Sequence, residues 1–398
     1  MNTIRPLVLT LALVLAGTAE ARELRLAAPA AGDLSPTQLV SSPASAEKAS
    51  RLEAAPVQFS WVLPADQTLS APLPHRADSR EFWTRVSAQE LSAGKTLTTS
   101  AKGALIRLSP IGQAKGAADP LQVEITAGGQ TFARGDGLKN SANEAELKAA
   151  GTSFPSGTLA FQLKDEVGQG DITLRLPKAA NDYLVHVFEP NSAEVLSLQT
   201  DRITAVHGGE FKVLARFNAG DTAQAIGGFL SSPTGEQVEL SFEREGDDYV
   251  AKVRHDGLIG EGEGLWEIHT FASANGIQRD AKTAIVSSVP RARFAGTADH
   301  AKTRNGSLRL RVDVSVAAAS RFEVRGILFG RDGKAVRAGA MASSAAILKP
   351  GQQSLDLVFD AETLAKSGLS APYSVRDLTL VDQGSLAVQE SRAAGIEL

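Results

Sequence analysis

The chain has 398 residues, a formal net charge of −4 and no cysteine. Its 41 Lys and Arg are interspersed with 45 Asp and Glu, which argues against nucleic acid or an anionic membrane as an electrostatic partner. Without cysteine there is no disulfide staple, thiolate metal ligand or Cys nucleophile, so stability has to come from buried area.

The first element in chain order reads as a targeting segment. Arg5 supplies a positive start, Leu7 to Ala16 is almost unbroken apolar sequence, and Ala19-Glu20-Ala21 is a small-x-small cleavage pattern. The apolar run is about ten residues, half of the roughly twenty that span a bilayer. A signal peptide over 1–21 is expected, with a mature chain from Arg22 in the periplasm or the medium. No later stretch reaches transmembrane length, so no membrane span is expected. Residues 22–56, rich in Ala, Ser and Pro, read as a flexible arm.

From Val57 the pattern is period two. Leu159, Phe161 and Leu163 alternate with polar residues. So do Ile172, Leu174 and Leu176; Phe211, Val213, Ala215 and Phe217; Leu308, Leu310, Val312, Val314 and Val316; and Leu355, Leu357 and Phe359. Such rows mark half-buried antiparallel strands. Three short helices interrupt them: a capping box at Ser87-Ala88-Gln89-Glu90 closed by Gly94, the run Asn143 to Gly151, and the run Asp360 to Gly368. Helices this sparse exclude βαβ units. The fold class is all-β, in tandem antiparallel β-sandwich domains.

Turn-rich breaks at His207-Gly208-Gly209 and Val289-Pro290-Arg291 divide the chain. They give an N-terminal β domain over 57–203 and immunoglobulin-like sandwiches over 204–290 and 291–398, each of sandwich size. Tight hairpins are expected at Ser232-Pro233-Thr234-Gly235 and Arg331-Asp332-Gly333, with the glycines supplying positive φ.

The segment Gly264-Leu265-Trp266-Glu267-Ile268-His269-Thr270 resembles the aromatic-bearing strand of immunoglobulin-like modules in exported bacterial proteins. Leu348 to Leu355, Phe359-Asp360 and Gly368 to Tyr373 resemble the terminal module appended to secreted bacterial proteases. With Gly103 to Pro110 in the first domain, the arrangement is similar to the exported bacterial family catalogued as domain of unknown function 4785. The resemblance covers most of the mature chain and rests on packing and turn motifs. It implies three β domains and an exported location, and it carries over no catalytic residue.

Motifs for chemistry are missing. There is no Gly-x-Ser-x-Gly elbow, no His-Glu-x-x-His pair and no Gly-x-Gly-x-x-Gly opening a helix. Gly94-Lys95-Thr96 lacks the first glycine of a phosphate loop and reads as a turn. The histidines, His75, His186, His207, His255, His269 and His300, show no metal-ligand spacing. His186 and His269 read as solvent-facing strand positions. Asp165-Glu166, Asp247-Asp248 and Glu261-x-Glu263 lack the alternating oxygen ligands of a calcium loop and read as charged hairpin tips. Trp266 reads as core of the second sandwich, and Trp61, at the same parity as Phe59, as core too. Trp83 is the tryptophan with a claim to the surface, though packing is favoured.

The reading is an exported, non-catalytic binding or structural protein with no cofactor and no metal. Its ligand is an unidentified protein or glycan. The alternative is a hydrolase or protease-associated factor with its site in the N-terminal β domain, near the turns of Asp119, Asp136 and Asp165.

Overall fold

The computed structural model describes residues 23–42, 55–70, 72–116, 118–219, 223–254 and 263–398. The expected signal peptide, part of the expected arm, His255 and Glu261 lie outside these residues.

The alternating rows form strands in every case, packed as three apolar cores. The first core is built on Phe82, Ile106, Leu108, Phe161, Leu174 and Val185, the second on Phe211, Val213, Trp266 and Ile268, and the third on Leu310, Val312, Phe322, Leu357 and Leu380. Each lies between two antiparallel sheets, because a period-two strand has one apolar face to bury.

One sheet serves two of these cores. Its strands run in the order Gln237–Leu240, Ala225–Ser231, Gly264–Ala274, Ile277–Ser288, Glu81–Val86, Tyr183–Phe188, Leu105–Pro110, Leu159–Leu163 and Leu138–Asn143, with Thr204–Val206 parallel to Ile277–Ser288. The first half covers the middle core and the second half the first core. The halves meet at one residue pair, Asp280 opposite Glu81. This is the seam sheet below. A four-stranded sheet, Lys95–Thr99, Gly170–Arg175, Glu124–Ala127 and Gln130–Phe132, closes the first sandwich. A five-stranded sheet from Glu243–Glu245 to Ala77–Ser79 closes the middle one.

The last sandwich pairs a four-stranded sheet (Glu23–Arg25, Ala292–Lys302, Leu308–Val316, Gly351–Phe359) with a six-stranded one. The latter runs Val57–Val62, Ala335–Leu348, Ser320–Asp332, Ser370–Asp382, Ala387–Arg392, with Ile396–Glu397 on Ser370–Asp382.

The helices form as their caps dictate. Ser87 and Asn143 each close a capping box with the glutamate three residues on, and Asp360 accepts from the Thr363 amide. Gly368 ends the last helix at φ +68. Gly235 and Gly333 have the positive φ that their hairpins need.

Three expectations change. Residues 23–42 are not a free arm: Glu23–Arg25 pairs with Ala292–Lys302, the Leu34 amide donates to Ser391 Oγ at 3.0 Å, and the Val40 amide donates to the Pro290 carbonyl at 2.8 Å. Strand Val57–Val62 does not open the first domain but forms the edge of the six-stranded sheet, Val57 opposite Ala345. Leu196–Thr200, expected in the first domain, joins Glu210–Phe217 in the middle sandwich, so the changeover falls before Leu196. In each case the partner that decides the strand's sheet is remote in sequence.

Candidate functional site

Two clusters stand out. The first lies on the outer face of the seam sheet. His186 sits opposite both Trp83 and Arg107, and His269 opposite both Phe229 and Lys282. Period two therefore puts all six side chains on one face. Trp83 stacks on His186 with centroids 4.7 Å apart, and His269 meets Trp83 and Phe229 edge-on at 6.2 and 4.9 Å. His186 Nε2 lies 2.8 Å from Glu81. Lys282 Nζ stands 5.8 Å over Trp83, and Arg107 stands 4.5 Å over Phe154.

Burial shapes the chemistry here. His269 is held below the usual histidine range by burial and by Lys282, and its Nε2 makes no hydrogen bond. Asp280 is pushed up to about 6 by burial, Glu81 adding to the rise while the Trp83 amide, Lys282 and His186 oppose it. His186 and His269 thus stand on the outer face, as their parity implies, but ring neighbours from other strands screen them from solvent. Stacking by His186 and cover by Lys282 leave Trp83 a packing residue. This row is the lining of a seam.

The second cluster is on the six-stranded sheet. Trp61 is exposed, at 38%, and so is Phe59, at 51%. Both were expected in the core. Their shared parity holds, but the inward face of this strand is that of Ser60, whose Oγ reaches Asp360 and Thr363 at the start of the last helix. The two rings lie within 22° of parallel, 5.4 Å apart.

Register places Phe59, Ser343 and Arg325 in one row across the sheet, with Val57, Ala345 and Glu323 in the next. Buried Glu323 accepts from Arg325 Nε and Nη2 at 2.7 and 2.9 Å, from Ser343 Oγ at 2.5 Å and from Gln383 at 2.9 Å. Burial raises the Glu323 carboxyl, but these bonds outweigh it and hold the group below the usual range. The outer face of this sheet thus carries an aromatic wall on its edge strand and, beyond the buried Ser343 and Ala345, a fixed polar one.

The other candidates do not converge. Asp119 caps the turn Pro120–Gln122, Asp165 lies in the turn Asp165–Val167, Asp248 pairs with Arg216 at 2.7 Å, and Glu263 pairs with Arg291. Among the described residues no three His, Asp or Glu side chains are grouped as metal ligands. Two clefts, of about 110 and 210 Å³, are lined by Arg76, Arg216 and Asp248 and by Arg293, Glu390 and Arg392. Both lie outside the first sandwich. No helix among the described residues is long and apolar enough to cross a membrane.

The sandwiches are also locked to one another. Arg279 of the middle sandwich reaches Glu189 of the first at 2.8 Å, with both side chains wholly buried. Arg279 also donates to Ser100, Ser192 and the Glu194 carbonyl, while Glu189 takes the Ser100 and Ala101 amides. At the next junction Arg291 grips Glu263 at 2.5 and 3.0 Å and approaches Asp382 at 3.4 Å.

Three β-sandwiches in series, joined by buried ion pairs and carrying an exposed aromatic pair on the last, define a multidomain all-β protein. The chain belongs to the DUF4785 family. Residues 48–189 match the model described as the N-terminal domain of this domain of unknown function, and 291–398 match its C-terminal domain. The crystal structure of a DUF4785 family protein from Legionella pneumophila subsp. pneumophila str. Philadelphia 1 superposes with a TM-score of 0.69 at 20% identity, covering 92% of this chain and 99% of that one. At that identity the likeness speaks for the fold. Escherichia coli alpha-2-macroglobulin activated by porcine elastase aligns over 85% of this chain and 33% of its own at 11% identity, and its TM-score of 0.20 carries no argument. No curated protein matches the chain.

Proposed function

We propose that this is an exported, non-catalytic binding protein of the periplasm or medium, whose binding surface is the outer face of the six-stranded sheet. The observation that carries the reading is the exposed Phe59–Trp61 pair on an edge strand. Edge strands ordinarily carry charge or proline to discourage association, and large exposed aromatic surface is a cost without a ligand. The two buried junctions support the reading, since they make the three sandwiches a stiff mount for that face.

Co-sedimentation of the mature protein with the envelope of the cell that exports it tests this. Wild type should pellet and the Phe59→Ala/Trp61→Ala double variant, with an unchanged melting temperature, should not. Equal behaviour of the two proteins would sink the reading. Turnover in a screen of peptide, ester and glycoside substrates, abolished by a single Asp or Ser change in the first sandwich, would favour a hydrolase instead. An intact mass that begins at Arg22 is expected for the exported protein.

A further inference from the structure

We propose that the face formed by Phe59, Trp61 and Arg325 on the six-stranded sheet is a glycan-binding site. The inference rests on the reading of the chain as a binding protein and names the chemistry of its ligand.

The aromatic wall offers apolar area at half exposure, and its near-parallel rings present a common surface. A pyranose ring has an apolar C–H face that packs on such surfaces and an equatorial rim of hydroxyls that needs hydrogen bonds. The opposite wall supplies them. Glu323 fixes Arg325 through Nε and Nη2, so the guanidinium is held in place before any ligand arrives. Its Nη1 makes no hydrogen bond among the described residues, and the side chain is 46% exposed. Preorganised donors lose little entropy when they bind, which is where affinity for a polar ligand is won.

Between the two walls Ser343 and Ala345 are small and buried, so the exposed surface is made by the rings on one side and Arg325 on the other. Farther along the same sheet Arg376 stands 4.8 Å over Phe329. A lipid surface or an apolar peptide would call for continuous apolar area, whereas here one strand separates rings from a fixed ion pair. The outer face of the partner sheet provides the control. It carries solvated pairs such as Arg311–Asp356 at 2.9 Å and, among the described residues, no comparable ring pair.

Affinity electrophoresis of the full mature chain in gels containing hydroxyethylcellulose, xylan or polygalacturonate tests the site. Retardation by at least one polymer is expected, weakened at least tenfold in Trp61→Ala and in Phe59→Ala. Trp83→Phe should match wild type, because that ring is occupied by the seam. A larger loss for polygalacturonate than for the neutral polymers in Arg325→Gln would identify Arg325 as the reader of an acidic sugar, and equal losses would identify a neutral-sugar site. No retardation by any polymer, or full retardation of a folded Trp61→Ala, would overturn the inference. Envelope binding that needs Trp61 but is not competed by these polymers would overturn the glycan assignment while leaving the binding reading intact.

Discussion

The two junctions between sandwiches use the same ingredient, a buried arginine, in different settings. Between the first and middle sandwiches the sheet itself runs through. Asp280 opposes Glu81, the Trp83 amide donates to Asp280 at 2.7 Å, and Ser79 Oγ donates to the Asp280 carbonyl at 2.5 Å. Arg279 and Glu189 sit beneath this backbone joint with no exposure at all. Between the middle and last sandwiches the sheets are separate, and side chains make the joint. The Arg291 amide donates to Gln389 at 2.6 Å and Ser288 Oγ to the Val388 carbonyl at 3.0 Å, while Glu263 remains partly solvated. The difference lies in how the guanidinium is used: Arg279 meets one wholly buried carboxylate at close range, whereas Arg291 is shared between buried Asp382 and partly exposed Glu263. Without Arg279, Glu189 keeps the Ser100 and Ala101 amides but loses the guanidinium that meets it at 2.8 Å, whereas Arg291 only approaches Asp382, at 3.4 Å. Asp382 without Arg291 still accepts from Ser320 and the Gly384 amide.

The largest effect should follow from Arg279→Met, which leaves Glu189 uncompensated and costs about 3–5 kcal/mol by denaturant unfolding. Arg291→Met should cost less, about 1–3 kcal/mol, and should split the calorimetric transition as the last sandwich uncouples. A wild-type melt for Arg279→Met, or equal penalties for the two variants, would erase the distinction. Trp266→Ala serves as a reference within a single core. Its loss of about 3–5 kcal/mol should shift the middle sandwich without changing how the junctions couple, and wild-type Trp266 fluorescence should be blue and poorly quenched by iodide.

The most gradual effect is in pH. Asp280 titrates near 6 in the fold against 3.8 for an ordinary aspartate, because burial disfavours its charge. A carboxyl raised by folding stabilises most when it is protonated. That contribution, about 2–3 kcal/mol at most, is complete below pH ~4 and is lost as pH rises through ~6. Asp280→Asn should flatten the fall in stability between those values, and an unchanged slope would show that the seam does not titrate there.

What the sequence discloses is local. Ser87, Asn143 and Asp360 announce their helices, Gly235 and Gly333 their hairpins, and Trp266 its core position, because each depends on neighbours within a few residues. Trp61 shows the limit. Its alternation with Ser60 is plain, but which side faces a core depends on pairing with Ala335–Leu348, far along the chain. The site suffers likewise. Arg325 and Glu323 look like an ordinary charged strand until register sets them one strand away from Phe59 and Val57. The row of Trp83, His186 and His269 draws on strands from two sandwiches and is silent in any linear window.

The pairing of Glu23–Arg25 with Ala292–Lys302, and of Val57–Val62 with Ala335–Leu348, sets a timetable for synthesis. The two earliest described strands leave the ribosome first, yet they complete the sandwich that leaves last. Until then they are strands without a sheet, exposing Phe59 and Trp61 to any other unpaired edge. Pairings this distant in sequence form slowly. The last sandwich is therefore the step at which the whole chain becomes committed, and a fragment beginning at Arg291 would lack a border strand on each of its two sheets.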